Sequence, residues 1–120
     1  MLNLDTHILL RFVAGTASTD EFRCAANDEL AISDIVLWEI AKLMQKRRIG
    51  FDPHNPHFRA WLRSITILPI TPEIAWQSTR LDFSSDPADE IIAATSIVEK
   101  IPLLTRDHVI RSSRLVPLAL

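Results

Sequence analysis

Residues 30–48 read LAISDIVLWEIAKLMQKRR, and the change of periodicity inside them decides the fold. Leu30–Ile32 is an apolar run of strand length. From Val36 onward apolar residues recur at helical spacing, at Val36, Leu37, Ile40, Leu43 and Met44, and the spacing predicts a helix to about Arg48. Ser33 stands at the junction and is the expected N-cap, because its hydroxyl can accept an N–H of the first turn. A buried strand running through a polar junction into a helix is half of a βαβ unit.

The same pattern extends in both directions. MLNL (1–4) reads as a buried strand, followed by a helix over Thr6–Val13 that breaks at Ala14-Gly15. Ser18, Thr19 or Asp20 can cap a second helix reaching about Asn27. FDPHNPHF (51–58) is a loop that leads into a helix over Pro56–Ser64 and a strand in ITILPI (65–70). TPEIAWQSTR opens a helix with Thr71 as cap and Pro72 at its first position. Asp86 and Pro87 start a helix that ends near Lys100; PLLT (102–105) is a strand, RDHVIRSS a turn or short helix, and RLVPL (114–118) the expected last strand. Strands alternating with helices imply an α/β domain with a mostly parallel sheet covered on both faces. The length of 120 residues fits a single domain over 1–120, and 48% hydrophobic residues supply a real core.

Composition narrows the function. The net charge of −2 argues against nucleic-acid binding by charge alone, so contact with nucleic acid requires local basic patches or bound cations. Cys24 is the one cysteine, which excludes an internal disulfide and fits a reducing cytoplasm. The start, MLNLDTHILL, lacks the basic region of a signal peptide, and no apolar stretch has the length of a membrane span. Glycine occurs only at Gly15 and Gly50, so there is no glycine-rich phosphate loop, and no GxSxG elbow is present.

What remains is an acidic constellation. In open α/β sheets ligands bind beyond the carboxyl ends of the strands. Asp5 follows MLNL directly, Asp107 follows PLLT by one residue, and Ser33 ends the Leu30–Ile32 strand. All three are therefore expected on one rim. Glu39 sits at the border of the apolar arc of its helix, where a surface partnership with Lys42 is the plainer expectation. In SSDPADEIIAATS (84–96) Asp86 suits the N-cap, while the apolar run that follows does not choose between Asp89 and Glu90. Acids converging from separate elements suit a hard cation such as Mg²⁺, which takes oxygen ligands.

Three stretches in order, LDTHILLRF, SDIVLWEIAKL and DPADEIIAATSIVEKIPLLTRD, resemble the PIN domain family and, within it, the VapC-type toxins of bacterial toxin–antitoxin pairs. The resemblance spans nearly the whole chain. It implies a three-layer α/β/α sandwich on a small, mostly parallel sheet of four to five strands. It implies Mg²⁺- or Mn²⁺-dependent RNA cleavage, with Asp5, Glu39, Asp89 and Asp107 as catalytic and metal-holding acids and Thr6, Ser33 and Thr105 as supporting hydroxyls. It further implies a homodimer silenced by a cognate VapB-like antitoxin, in the cytoplasm. One departure stands out: the family often has Arg after the third acid, and here the residue is Glu90. Glu90 is the feature that favours the alternative function, a catalytically weak PIN domain binding RNA or protein. A DNA-directed nuclease could use the same acids.

Lys42, Lys46, Arg106 and Arg111 are candidate RNA contacts, against the plainer expectation of solvated helix faces and helix ends. His54 and His57 lack the further ligands that structural zinc needs. His7 is near Asp5 and can face the site, against the plainer expectation of a helix surface, and Trp38, Trp61 and Trp76 are expected in core or dimer packing.

Overall fold

In the computed structural model, which describes residues 1–120, the four apolar runs pair side by side in one direction. The strands are β1 (Leu2–Leu4), β2 (Leu30–Ser33), β3 (Thr66–Leu68) and β4 (Leu103–Leu104), in the order β3-β2-β1-β4. Every pairing is parallel, with Leu2 opposite Leu30, Asn3 opposite Leu103 and Ala31 opposite Thr66. The carboxyl ends of β1, β2 and β4 therefore share one edge. The helices are α1 (Thr6–Ala14), α2 (Thr19–Ala25), α3 (Ile35–Gln45), α4 (Pro56–Ser64), α5 (Pro72–Gln77), α6 (Pro87–Glu99) and α7 (His108–Arg111).

β1 and β4 are buried at every position, which a strand shows only when both faces of the sheet are covered. Leu2, Leu4, Ile8, Leu9, Ile32, Val36, Ile40, Ile92, Leu103, Leu104 and Ile110 belong to one continuous core. Each such side chain contributes about 1.5–3 kcal/mol by leaving water. β3 forms the thin edge, with Ile67 partly exposed. No helix is long and apolar enough to cross a membrane.

Local chemistry sets the element ends. Gly15 closes α1 in the left-handed region at φ 73°, where a Cβ would be strained. Of the three candidates before α2, Ser18 is the cap: its hydroxyl accepts the Glu21 N–H at 3.2 Å, and the Glu21 carboxylate accepts the Ser18 N–H at 2.8 Å. Asn55 caps α4 and Thr71 caps α5 through their side chains.

Three expectations change. α3 stops at Gln45 rather than Arg48, because Arg47 turns left-handed at φ 54° and ends the helix. Ser33 is the last residue of β2 rather than the N-cap of α3; Asp34 takes that position without a side-chain cap bond, although the Ser33 hydroxyl still accepts the Ile35 N–H at 3.3 Å. The last strand shrinks to one bridge, Leu118 opposite Leu103. The reason is local competition: Asp82 accepts the Arg114 N–H, and the Ser113 hydroxyl accepts those of Leu115 and Val116, so these donors are spent before a ladder can form.

Candidate active site at the strand-end rim

Asp5 leaves the end of β1 and opens α1. Its N–H is bonded to the Leu104 carbonyl of the neighbouring strand, and its own carbonyl accepts the Leu9 N–H of the first helical turn. These two bonds fix the backbone and leave the side chain to the rim. Asp5 Oδ2 accepts the Thr105 hydroxyl at 2.6 Å, and Thr105 Oγ1 accepts the Asp107 N–H at 3.1 Å. Asp5 Oδ1 is buried with no partner. Burial pushes the Asp5 carboxyl above its usual pKa. The Thr105 bond, His7 and the Thr6 N–H pull it back, and the neighbouring Glu39 pushes it further up.

Glu39 reaches the same place from α3. Its Oε1 is likewise buried with no partner. The expected partner Lys42 lies instead over the Trp38 ring, 5.7 Å from the centroid. Asp89 enters from the first turn of α6, where its Oδ2 accepts the Ser85 hydroxyl at 3.0 Å. Its pKa is raised first by burial, against the Ser85 bond, and then by Asp5, Asp107 and Asp86. One oxygen from each of Asp5, Glu39 and Asp89 lies within 4.8 Å of the others. Three anions at that spacing repel by about 3 kcal/mol per pair at an effective dielectric of about 20. Two orphaned buried oxygens and an all-carboxylate donor set are what a hard divalent cation satisfies.

These acids line a cleft of about 500 Å³ together with His7, Ile8, Arg11, Asp86, Arg106 and Asp107. Asp107 lies outside the 4.8 Å group. Its Oδ1 accepts the Val109 and Ile110 N–H groups and so caps α7, which leaves Oδ2 as the uncommitted oxygen. The Thr6 hydroxyl is buried without a partner, Thr105 is bonded to Asp5, and Ser33 does not line the cleft.

SSDPADEIIAATS divides its acids differently from expectation. Asp86 holds the N-cap position, yet its side chain makes no cap bond and it lines the cleft. Glu90 turns back, and its Oε2 accepts the Ser85 N–H at 3.3 Å. Glu90 thus braces the residue whose hydroxyl holds Asp89.

The basic residues also separate. Arg106 is clamped by Glu21 through two bonds of 2.6 Å. This pairing drives the Glu21 carboxyl down to about 2. Arg111 donates to the Thr105 and Leu120 carbonyls. Lys42 on α3 and Lys46 just past its end are exposed and do not line the cleft. Arg11 was missed by sequence reasoning, and for His7 the cleft position holds rather than the plainer helix-surface one. The available signal was their spacing of one helical turn on the helix that Asp5 opens. Of the tryptophans, Trp61 stacks on Phe12, whereas Trp38 and Trp76 are 54% and 62% exposed. His57 Nε2 meets the Val13 carbonyl at 2.9 Å, a bond that ties α4 to α1.

A model of the PIN domain family matches residues 3–113. The chain is 34% identical over 90 residues to Ribonuclease VapC22 of Mycobacterium tuberculosis, covering 72% of this chain and 69% of that one. Its fold is similar to that of a toxin–antitoxin complex from Klebsiella pneumoniae, with TM-score 0.75, 22% identity, and coverage of 100% of this chain and 98% of that one. It is also similar to VapBC2 from Rickettsia felis bound to a promoter DNA fragment, with TM-score 0.71, 19% identity, and coverage of 98% and 97%.

Proposed function

This chain belongs to the PIN domain family, and we propose that it is a divalent-metal-dependent endoribonuclease acting as the toxin of a toxin–antitoxin pair. The observation that carries this reading is that Asp5 and Glu39, each with one buried oxygen that has no partner, converge with Asp89 in one close group of carboxylates. The 34% identical ribonuclease supports RNA as the substrate.

In this reading Asp5, Glu39 and Asp89 hold Mg²⁺, or Mn²⁺ in its place, and Asp107 adds charge from the rim. A bound divalent cation lowers the pKa of water and offsets the charge that develops on a phosphoryl oxygen. The chain's own residues prepare the donors. Thr105 occupies Asp5 Oδ2 and Ser85 occupies Asp89 Oδ2, so each carboxylate presents its other oxygen in one orientation. Attack of water on the phosphodiester leaves a 3′-hydroxyl and a 5′-phosphate. The partners proposed with this function are a VapB-like antitoxin and a second copy of the chain, for which the exposed Trp38 and Ile70 offer apolar surface.

Glu90 no longer favours a catalytically weak protein, since its carboxylate supports the loop that orients Asp89. The deciding experiment incubates single-stranded RNA with the protein in Mg²⁺, Mn²⁺ or EDTA, beside single-stranded DNA. Cleavage of RNA that needs the metal and disappears in Asp5→Asn and Asp89→Asn is expected. Cleavage that persists in EDTA or in both variants rules the reading out.

A further inference from the structure

The cleft carries five carboxylates, those of Asp5, Glu39, Asp86, Asp89 and Asp107, against two guanidinium groups. The two guanidinium groups are not equivalent. Arg106 has its Nε and Nη2 committed to Glu21, so its charge is neutralised within the protein. Arg11 is half-buried on α1, lines the same cleft, and forms neither a salt bridge nor a side-chain hydrogen bond. Its fork of donors is held beside the acids without being used by them.

Such a cation serves an anion that arrives with the substrate. Guanidinium matches the geometry of phosphate oxygens through two parallel N–H bonds. Attachment to a helix, one turn from His7 and less than two from Asp5 at its N-cap, gives it a fixed distance to the acidic group. We infer that Arg11 binds a phosphate oxygen of the RNA backbone and so sets the register of the strand against Asp5, Glu39 and Asp89. This inference rests on the ribonuclease reading. The competing explanation is a cation in the last turn of α1 that only offsets the helix dipole.

The test compares the full-length protein with Arg11→Ala and Arg11→Lys. Cleavage of a fluorescent single-stranded RNA in Mn²⁺ is followed over a range of KCl concentrations. Fluorescence anisotropy of the same RNA is measured on Asp5→Asn and on the Asp5→Asn/Arg11→Ala double variant, which bind without cutting. Expected results are a roughly tenfold higher KM for Arg11→Ala with kcat changed less than about threefold, and a slope of log affinity against log salt shallower by about 0.7, the value for one lost single-strand phosphate contact. Arg11→Lys restores the salt slope, because it keeps the charge, but only part of the KM, because an ammonium lacks the two-pronged fork. Calorimetric Mn²⁺ affinity is unchanged or tighter. The inference is overturned if KM, anisotropy and salt slope stay at the unsubstituted values, or if Arg11→Ala lowers only the melting temperature. Failure of the unsubstituted protein to cleave RNA counts against the ribonuclease reading, while the anisotropy pair still decides for or against Arg11.

Discussion

Asp5 and Glu21 are both buried carboxylates, and the molecule treats them in opposite ways. Glu21 has every need met: both oxygens bond Arg106, and Oε1 also accepts the Ser18 N–H. Its pKa falls to about 2. Asp5 receives one hydroxyl on one oxygen, has its other oxygen bare, and faces Glu39; its pKa rises. The two sites are joined through consecutive residues, since Thr105 bonds Asp5 and Arg106 bonds Glu21. A satisfied buried acid holds structure together. An unsatisfied one, surrounded by like charge, costs stability and stores affinity for a cation.

The largest effects break the Asp5 side of this contrast. Asp5→Asn is expected to reduce RNA cleavage on the order of a thousandfold or more, as the loss of a metal-holding acid does. The same substitution should raise the melting temperature in EDTA by roughly 4 °C, because a neutral amide removes a penalised charge. The sign follows from the raised pKa: the folded state resists ionisation of Asp5, so the charged form at neutral pH is destabilising. A melting temperature that falls, with activity intact, would reverse the roles assigned to the two acids. Next, Mn²⁺ at about a hundred times its dissociation constant should add about 2.7 kcal/mol to the stability of the unsubstituted protein and nothing to Asp5→Asn, as read by denaturant unfolding.

The Glu21 side predicts the opposite pairing of outcomes. Glu21→Ala should cost about 2 kcal/mol, below the value for a fully buried pair because Arg106 is partly exposed. Metal affinity by calorimetry should hardly move. A carboxyl with a lowered pKa stabilises the fold in its charged form. The contribution is complete above pH 4.5 and is lost as pH falls toward 2, and acid unfolding of Glu21→Gln should lack that part of the slope. The smallest effect belongs to Glu90→Gln: within about 0.5 kcal/mol in stability and about threefold in cleavage, since the amide oxygen can still accept the Ser85 N–H. A hundredfold loss there would make Glu90 part of the chemistry.

Much of this frame was legible in the chain itself. Strand-to-helix changes of period located β1, β2, β4 and α3, and parallel pairing then forces Asp5 and Asp107 toward one rim. Caps with a local mechanism, such as Thr71 and Pro72, were also readable. The separation of Asp89 from Glu90 was not readable from the helix alone, because α6 is apolar on most sides. The family resemblance chose Asp89, and the difference between the two side chains lies in Ser85, which bonds one through its hydroxyl and the other through its N–H. Arg106 read as an RNA contact because its partner Glu21 lies 85 residues away.

The sequence by itself determined the order of elements, the α/β class and the shared rim of Asp5 and Asp107, while Glu39 and Asp89 came from the family resemblance that its motifs carry. Periodicity and capping are local properties, fixed by which face of a short segment can leave water. Only the tertiary structure decided which oxygens are left bare and which cation is left free. That outcome depends on pairs such as Thr105 with Asp5 and Arg106 with Glu21, which meet only when the parallel sheet brings the strand ends together.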